Sequence, residues 1–192
     1  SHTASFSYAA RIVDTAGNIG TTTGQDVTID TTAPTEALTI TAIADDTGSS
    51  ATDFVTSDTT LIVSGSNGAL APGERIQLSG DGGLSWHDVT QTSATTWSYD
   101  DTATSHNTSF TYTARIIDAA GNIGTITSQD VIIDTSAPAE ALAITTVADD
   151  TGSSAADFVT SDNTLIVSGS NGALAPGETI QLSSDGGLTW YD

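Results

Sequence analysis

The chain of 192 residues contains no Cys, no Met and no Lys. Without cysteine it has no thiol nucleophile, no disulfide staple and no Cys-ligated zinc or iron–sulfur centre, which suits a protein exported without disulfide chemistry. Cations are nearly missing: Arg11, Arg75 and Arg115 stand against 24 acidic residues, for a net charge of −21. Such a surface cannot neutralise phosphates, so nucleic acid and anionic membrane faces are excluded as partners. No apolar run approaches the roughly 18–20 residues that span a bilayer, so no membrane insertion is expected, and no signal-peptide pattern opens the chain. No segment holds a 3.6-residue apolar period. At 37 % hydrophobic the chain is still a folder rather than a disordered polyanion.

What is present is a repeat. Phe6-Ser-Tyr8-Ala-Ala-Arg11-Ile-Val-Asp14 returns as Phe110-Thr-Tyr112-Thr-Ala-Arg115-Ile-Ile-Asp118, an offset of 104, and residues 1–88 match 105–192 at 68 of 88 positions without a gap. A period of that size is a domain, not a solenoid turn. The segment Ile29-Asp30-Thr-Thr-Ala-Pro34, repeated as Ile133-Asp134-Thr-Ser-Ala-Pro138, ends a strand-like run in a proline and marks the boundary. The expected organisation is the C-terminal part of one repeat (1–32), a complete repeat (33–136) and the N-terminal part of the next (137–192). The edges read as a cut through a longer tandem array, and only the middle piece is expected to close its own core.

Within the unit, short alternating runs bounded by Gly, Asp, Asn and Ser recur every 10–15 residues or so. The expected strands are Leu38–Ile43, Thr60–Ser64, Arg75–Ser79, Ser85–Val89, Thr96–Tyr99, Ser109–Ile117 and Gln129–Ile133. About seven strands in about 100 residues predict an all-β fold of tandem immunoglobulin-like antiparallel β-sandwiches. Trp86 and Trp97 are the expected bulky core residues, and Tyr112 sits where such sandwiches often carry a corner tyrosine.

The order of four motifs carries a family resemblance: Asp118-Ala-Ala-Gly-Asn122, Ile133-Asp-Thr-Ser-Ala-Pro138, Asp45-Asp-Thr-Gly48, and Ser57-Asp58 opening the run to Leu-Ile-Val-Ser-Gly. The chain resembles the bacterial Ig-like extender domains of giant type I-secreted adhesins, of the RTX and biofilm-associated kind, in Gram-negative bacteria. The resemblance covers the whole chain and implies a Ca²⁺-stiffened spacer. Such a spacer is extracellular, at the bacterial cell surface, carrying a distal region that meets a host or biofilm ligand. The nonapeptide Ca²⁺ repeats and adhesive modules of such proteins are absent, so no adhesive specificity carries over.

The acidic loops admit two readings. In seven-strand topology the loop after the sixth strand lies at the end where the chain enters, so Asp118 and Asn122 would sit beside the incoming linker with Asp30. Hard oxygens from two segments suit Ca²⁺; equally, Gly121-Asn122 makes a tight turn that Asp118 caps. Asp14 and Asn18 repeat this set, as Asp134 repeats Asp30. At the opposite end Asp45, Asp46 and Asp58, with copies Asp149, Asp150 and Asp162, are adjacent acids whose repulsion a divalent cation would relieve or water would solvate. Further loop acids are Asp53, Asp81, Asp100 and Asp101. The 20 differences between copies spare all nine aligned Asp pairs, which weakly supports a role beyond solvation.

Catalysis fares badly. Of the three imidazoles, His2, His87 and His106, His87 is replaced by Tyr191 in the next copy, so it is a poor general base for a repeated unit. The leading expectation is a non-enzymatic spacer joined to neighbouring Ig-like repeats of the same chain. The alternative is an Ig-like glycan- or protein-binding module using exposed aromatics such as Trp86, Trp97 or Tyr99.

Overall fold

A computed structural model describes residues 2–192, and every regular element in that span is a β-strand. The chain forms two compact units that part between Thr135 and Ser136. The first opens with an antiparallel hairpin of β1 (Phe6–Val13) and β2 (Ile19–Val27). Nine strands follow: β3 (Leu38–Ile43), β4 (Val55–Thr56), β5 (Ile62–Asn67), β6 (Arg75–Ser79), β7 (His87–Asp88), β8 (Thr90–Gln91), β9 (Thr96–Asp100), β10 (Phe110–Ile117) and β11 (Ile123–Ile133). They make two sheets, β3-β5-β9-β8 and β4-β11-β10-β6-β7. The second unit pairs β12 (Leu142–Val147) with β13 (Val167–Asn171).

The two larger sheets close over one core. Leu61, Val63 and Trp97 come from the four-stranded side and Ile76, Leu78, Tyr112, Ala114, Ile116 and Val131 from the five-stranded side. The period-2 pattern of β10 produces this directly: Tyr112, Ala114 and Ile116 point inward while the residues between them face out. Every buried hydrophobic residue among those described lies between Leu38 and Val131. Trp97 fits because Gly65 lies opposite it on β5; a Cβ there would stand 2.3 Å from the indole and 2.1 Å from the Thr39 carbonyl oxygen.

This is the immunoglobulin-like sandwich expected from strand spacing, with differences in detail. One pair is parallel: Val55–Thr56 runs alongside Ile132–Ile133. No alternating run is long enough to announce so short a strand. The expected Ser85–Val89 strand divides at Val89, His87–Asp88 joining one sheet and Thr90–Gln91 the other, so the chain changes layers there. Strand β11 begins at Ile123 rather than Gln129, because its outer half is Thr-rich and lacks strong alternation. Trp86 is not a core residue. It is half-exposed, its Nε1–H donates to the Gly83 carbonyl at 3.1 Å, and the Arg115 guanidinium lies 3.8 Å above its ring.

Candidate functional site

The turn joining β10 to β11 is built by one carboxylate. Asp118 Oδ1 accepts the backbone N–H groups of Ala120 and Asn122, both at 2.8 Å, and Oδ2 accepts from Asn122 Nδ2 at 2.8 Å. Gly121 supplies the positive φ of 92° that closes the turn. The Asn122 side-chain bond, followed by the backbone donors, holds the Asp118 carboxyl below its ordinary range. Asp14 and Asn18 repeat every one of these bonds in the β1–β2 turn, and the Asp14 carboxyl is lowered by the same causes.

The two turns differ in what they hold. Asn122 Nδ2 has a second hydrogen, which it donates to the backbone carbonyl of Asp30 at 3.2 Å. Immediately after, Pro34 is buried, and its carbonyl lies where a Cβ on Gly124 would have to be, 2.2 Å away. The linker therefore rests on the start of β11, gripped by an amide and admitted by a glycine. Sequence spacing brought Asp30, Asp118 and Asn122 together as expected, but the contact runs through the Asp30 main chain. The Asp30 carboxyl turns away and caps the Thr32 N–H at 3.0 Å. Asp134 is exposed and continues the parallel pairing, its N–H donating to the Thr56 carbonyl at 3.0 Å.

At the other acidic loop, Asp45 adopts a left-handed φ of 56° and Phe54 one of 61°. Between them Asp46 Oδ2 accepts from the Phe54 N–H at 3.0 Å, while Asp46 Oδ1 is buried with no hydrogen-bond partner. The second copy repeats all of this: Asp149 at 56°, Phe158 at 58°, Asp150 Oδ2 on the Phe158 N–H, and Asp150 Oδ1 buried and unpartnered. Asp58 caps Thr60 through its N–H and hydroxyl, and Asp162 caps Thr164 in the same way, which lowers the Asp162 carboxyl. Asp45 and Asp58 line one open groove with Thr47, Ser57, Thr60 and Thr102. Among the described residues no group of three or more His, Cys, Asp or Glu side chains is gathered as a metal-ligand set.

Sequence reasoning missed the cluster beneath the corner after β9. Asp101 is buried, and its Oδ2 accepts from the Tyr112 hydroxyl at 2.7 Å and contacts His106 Nε2 at 2.8 Å. His106 stacks on Phe110 with ring centroids 3.9 Å apart. Burial, then the bond to Asp101, pushes the Tyr112 phenol well above its ordinary range, so it remains a donor. The corner tyrosine thus anchors to a side chain eleven residues upstream rather than to backbone. The Asp–His pair resembles catalytic machinery, but the His106 ring is packed against Phe110 and Tyr112, and the nearby Ser85 hydroxyl donates to Asp81 at 2.6 Å. The spacing His-x₃-Phe-x-Tyr could have revealed the cluster, since His2, Phe6 and Tyr8 stack in the same arrangement.

A model of a bacterial Ig-like domain matches residues 32–135, and a second of the same description matches residues 1–31. The chain belongs to the bacterial Ig-like domain family. No curated protein matches it. Bacterial Ig-like domains are typically structural modules without catalytic activity, commonly in surface or extracellular proteins, and the packed Asp101 corner agrees with that.

Proposed function

We propose that this chain is a spacer: a run of bacterial Ig-like domains in a large secreted adhesin at the bacterial cell surface, holding a distal ligand-binding region away from the cell. The observation that carries the reading is the seated linker. Asn122 gripping the Asp30 carbonyl and Gly124 admitting Pro34 fix the entry of the chain into the complete domain, which a passive tether would not need. Near-identical copies add length without new chemistry. Trp97 is buried and Trp86 is covered by Arg115, so two of the aromatics that a binding module would use are committed elsewhere.

Ca²⁺ belongs to the same proposal. The residues that fit it best are Asp46 and Asp150, each with a desolvated anionic oxygen that no donor satisfies, an arrangement a hard cation would repay. Asp45, Asp58, Asp149 and Asp162 lie in the same loops. An ion at the junction would draw on Asp30 and on Asp118, with Asp14, Asn18 and Asp134 as the repeated set. There the Asp118 oxygens already take three donors, so hydrogen bonds close the turn in the ion's absence.

Calorimetric titration with Ca²⁺ and small-angle scattering with and without chelator test the reading together. Expected are saturable binding that Asp46→Ala weakens and a chain that becomes more flexible when Asn122 is changed to Ala. No binding to the wild-type chain would remove the ion from the proposal. Unchanged scattering for Asn122→Ala would remove the stiff junction, and with it the spacer.

A further inference from the structure

Between the turn that follows β6 and the corner that follows β9 lies a cavity of about 130 Å³. Its walls come entirely from the middle domain, within residues 78–112. The carboxyl groups of Asp81 and Asp101 line it, together with the rings of His87, Tyr99, His106 and Tyr112. No arginine lines it, and the chain has no lysine. The space is below the roughly 300 Å³ of the smallest drug-sized sites, so it suits one functional group rather than a large ligand.

The polar groups around it are unequally satisfied. Asp81 is saturated by Ser79, Leu84 and Ser85, and the Ser85 hydroxyl above all holds its carboxyl well below the ordinary range, so it carries charge. Asp101 is only 8 % exposed, yet Tyr112 and His106 both meet Oδ2, and no hydrogen bond reaches Oδ1 among the described residues. The Tyr99 hydroxyl makes no hydrogen bond either. Burial, followed by Asp101 and Asp100, holds the Tyr99 phenol above its ordinary range, so it stays protonated. A carboxyl oxygen drawn out of water without a donor is costly, and a ligand that brings the donor removes that cost.

We propose that this cavity binds the alkylammonium group of another molecule. The ammonium donates to Asp101 Oδ1 and to the Tyr99 oxygen, and its charge faces Asp81. Its methylenes lie among the rings, where His87 stands 5.7 Å from Tyr99 and His106 6.0 Å from Tyr112, centroid to centroid. Ring faces attract a cation further. An anion is repelled by Asp81 and by a chain of net charge −21. A bare metal ion fits less well, because among the described residues no three acids or imidazoles are gathered as a ligand set. A neutral hydroxyl satisfies Oδ1 but gains nothing from Asp81 or from the ring faces. The site is independent of the spacer reading and of Ca²⁺.

Titration of the full 192-residue chain with n-butylammonium chloride, followed by amide chemical shifts with chelator present, tests this. Expected is saturable binding at one site, with the shifts centred on residues 80–87 and 99–106. Sodium chloride at equal ionic strength should not reproduce them. Tetramethylammonium carries the charge without an N–H, and should bind about tenfold more weakly. Asp101→Asn should lose most of the binding. Because that change also touches the Tyr112 and His106 contacts, Tyr99→Phe gives a second measurement on a fold left intact. It removes an oxygen that the domain does not use, and should weaken butylammonium about threefold. Absence of saturation, shifts matched by sodium chloride, equal affinity for tetramethylammonium, or wild-type affinity in Tyr99→Phe overturns the proposal.

Discussion

The hairpins β1–β2 and β10–β11 share most of their residues, their register and even the bulge after the arginine, yet one is the heart of a core and the other is open to solvent. Within each turn the hydrogen bonds are the same. Local sequence thus determines the hairpin, and burial is conferred by strands distant in the chain. The same lesson appears in the other repeated half: β3–β5 and β12–β13 pair in equivalent register, but only the first carries β9 along its far edge.

The largest expected effect breaks that asymmetry at its centre. Trp97→Ala removes a side chain that is 1 % exposed and should cost the middle domain about 3–5 kcal/mol in chemical denaturation. Trp190→Ala, on the open face, should leave the same transition within about 0.5 kcal/mol. Next comes the corner. Tyr112→Phe strips a buried acceptor, Asp101, of one of its two side-chain contacts and should cost about 2 kcal/mol. Tyr8→Phe, at a side chain 59 % exposed, should be close to neutral by the same measurement. A Tyr112→Phe protein as stable as wild type would mean that His106 alone anchors the corner.

Asn122→Ala against Asn18→Ala sharpens the comparison at the linker. Each variant loses its bond to the turn aspartate, but only Asn122→Ala also releases the Asp30 carbonyl. Amide exchange across residues 30–36 should accelerate in Asn122→Ala and remain at the wild-type rate in Asn18→Ala. Equal acceleration would show that the linker is seated by Pro34 and Gly124 alone.

How much of this was legible beforehand divides along the same line. The repeat, the inward face of β10 and the meeting of Asp30, Asp118 and Asn122 could be read because each depends on period or topology. What could not be read depends on three-dimensional partners. Trp86 looks like a core residue until Arg115 and Gly83 claim it on the outer face. Asp101 looks like another solvated loop acid until Tyr112 and His106 converge on it. The unpartnered oxygens of Asp46 and Asp150 follow from two left-handed residues in each loop, one of them a phenylalanine, which no propensity would suggest.

The smallest effect concerns what the hairpins have in common. Both Asp14 and Asp118 have folded-state carboxyls below their ordinary range, chiefly through the asparagine side chain of their own turn. A lowered folded-state value means that the turn's contribution is complete above the ordinary carboxylate range and is lost as pH falls through the folded value. The N–H groups of Ala16 and Asn18, and of Ala120 and Asn122, should therefore keep their protection at neutral pH and lose it together below about pH 4. Because every hydrogen bond that lowers the two carboxyls lies within its own turn, with burial opposing them in both, the two hairpins should titrate alike. Carboxyl-carbon chemical shifts recorded across that range would decide it. If Asp118 titrates well below Asp14, the surrounding sandwich and the seated linker tune the turn, and the division between local sequence and distant burial fails at the residue where it should hold best.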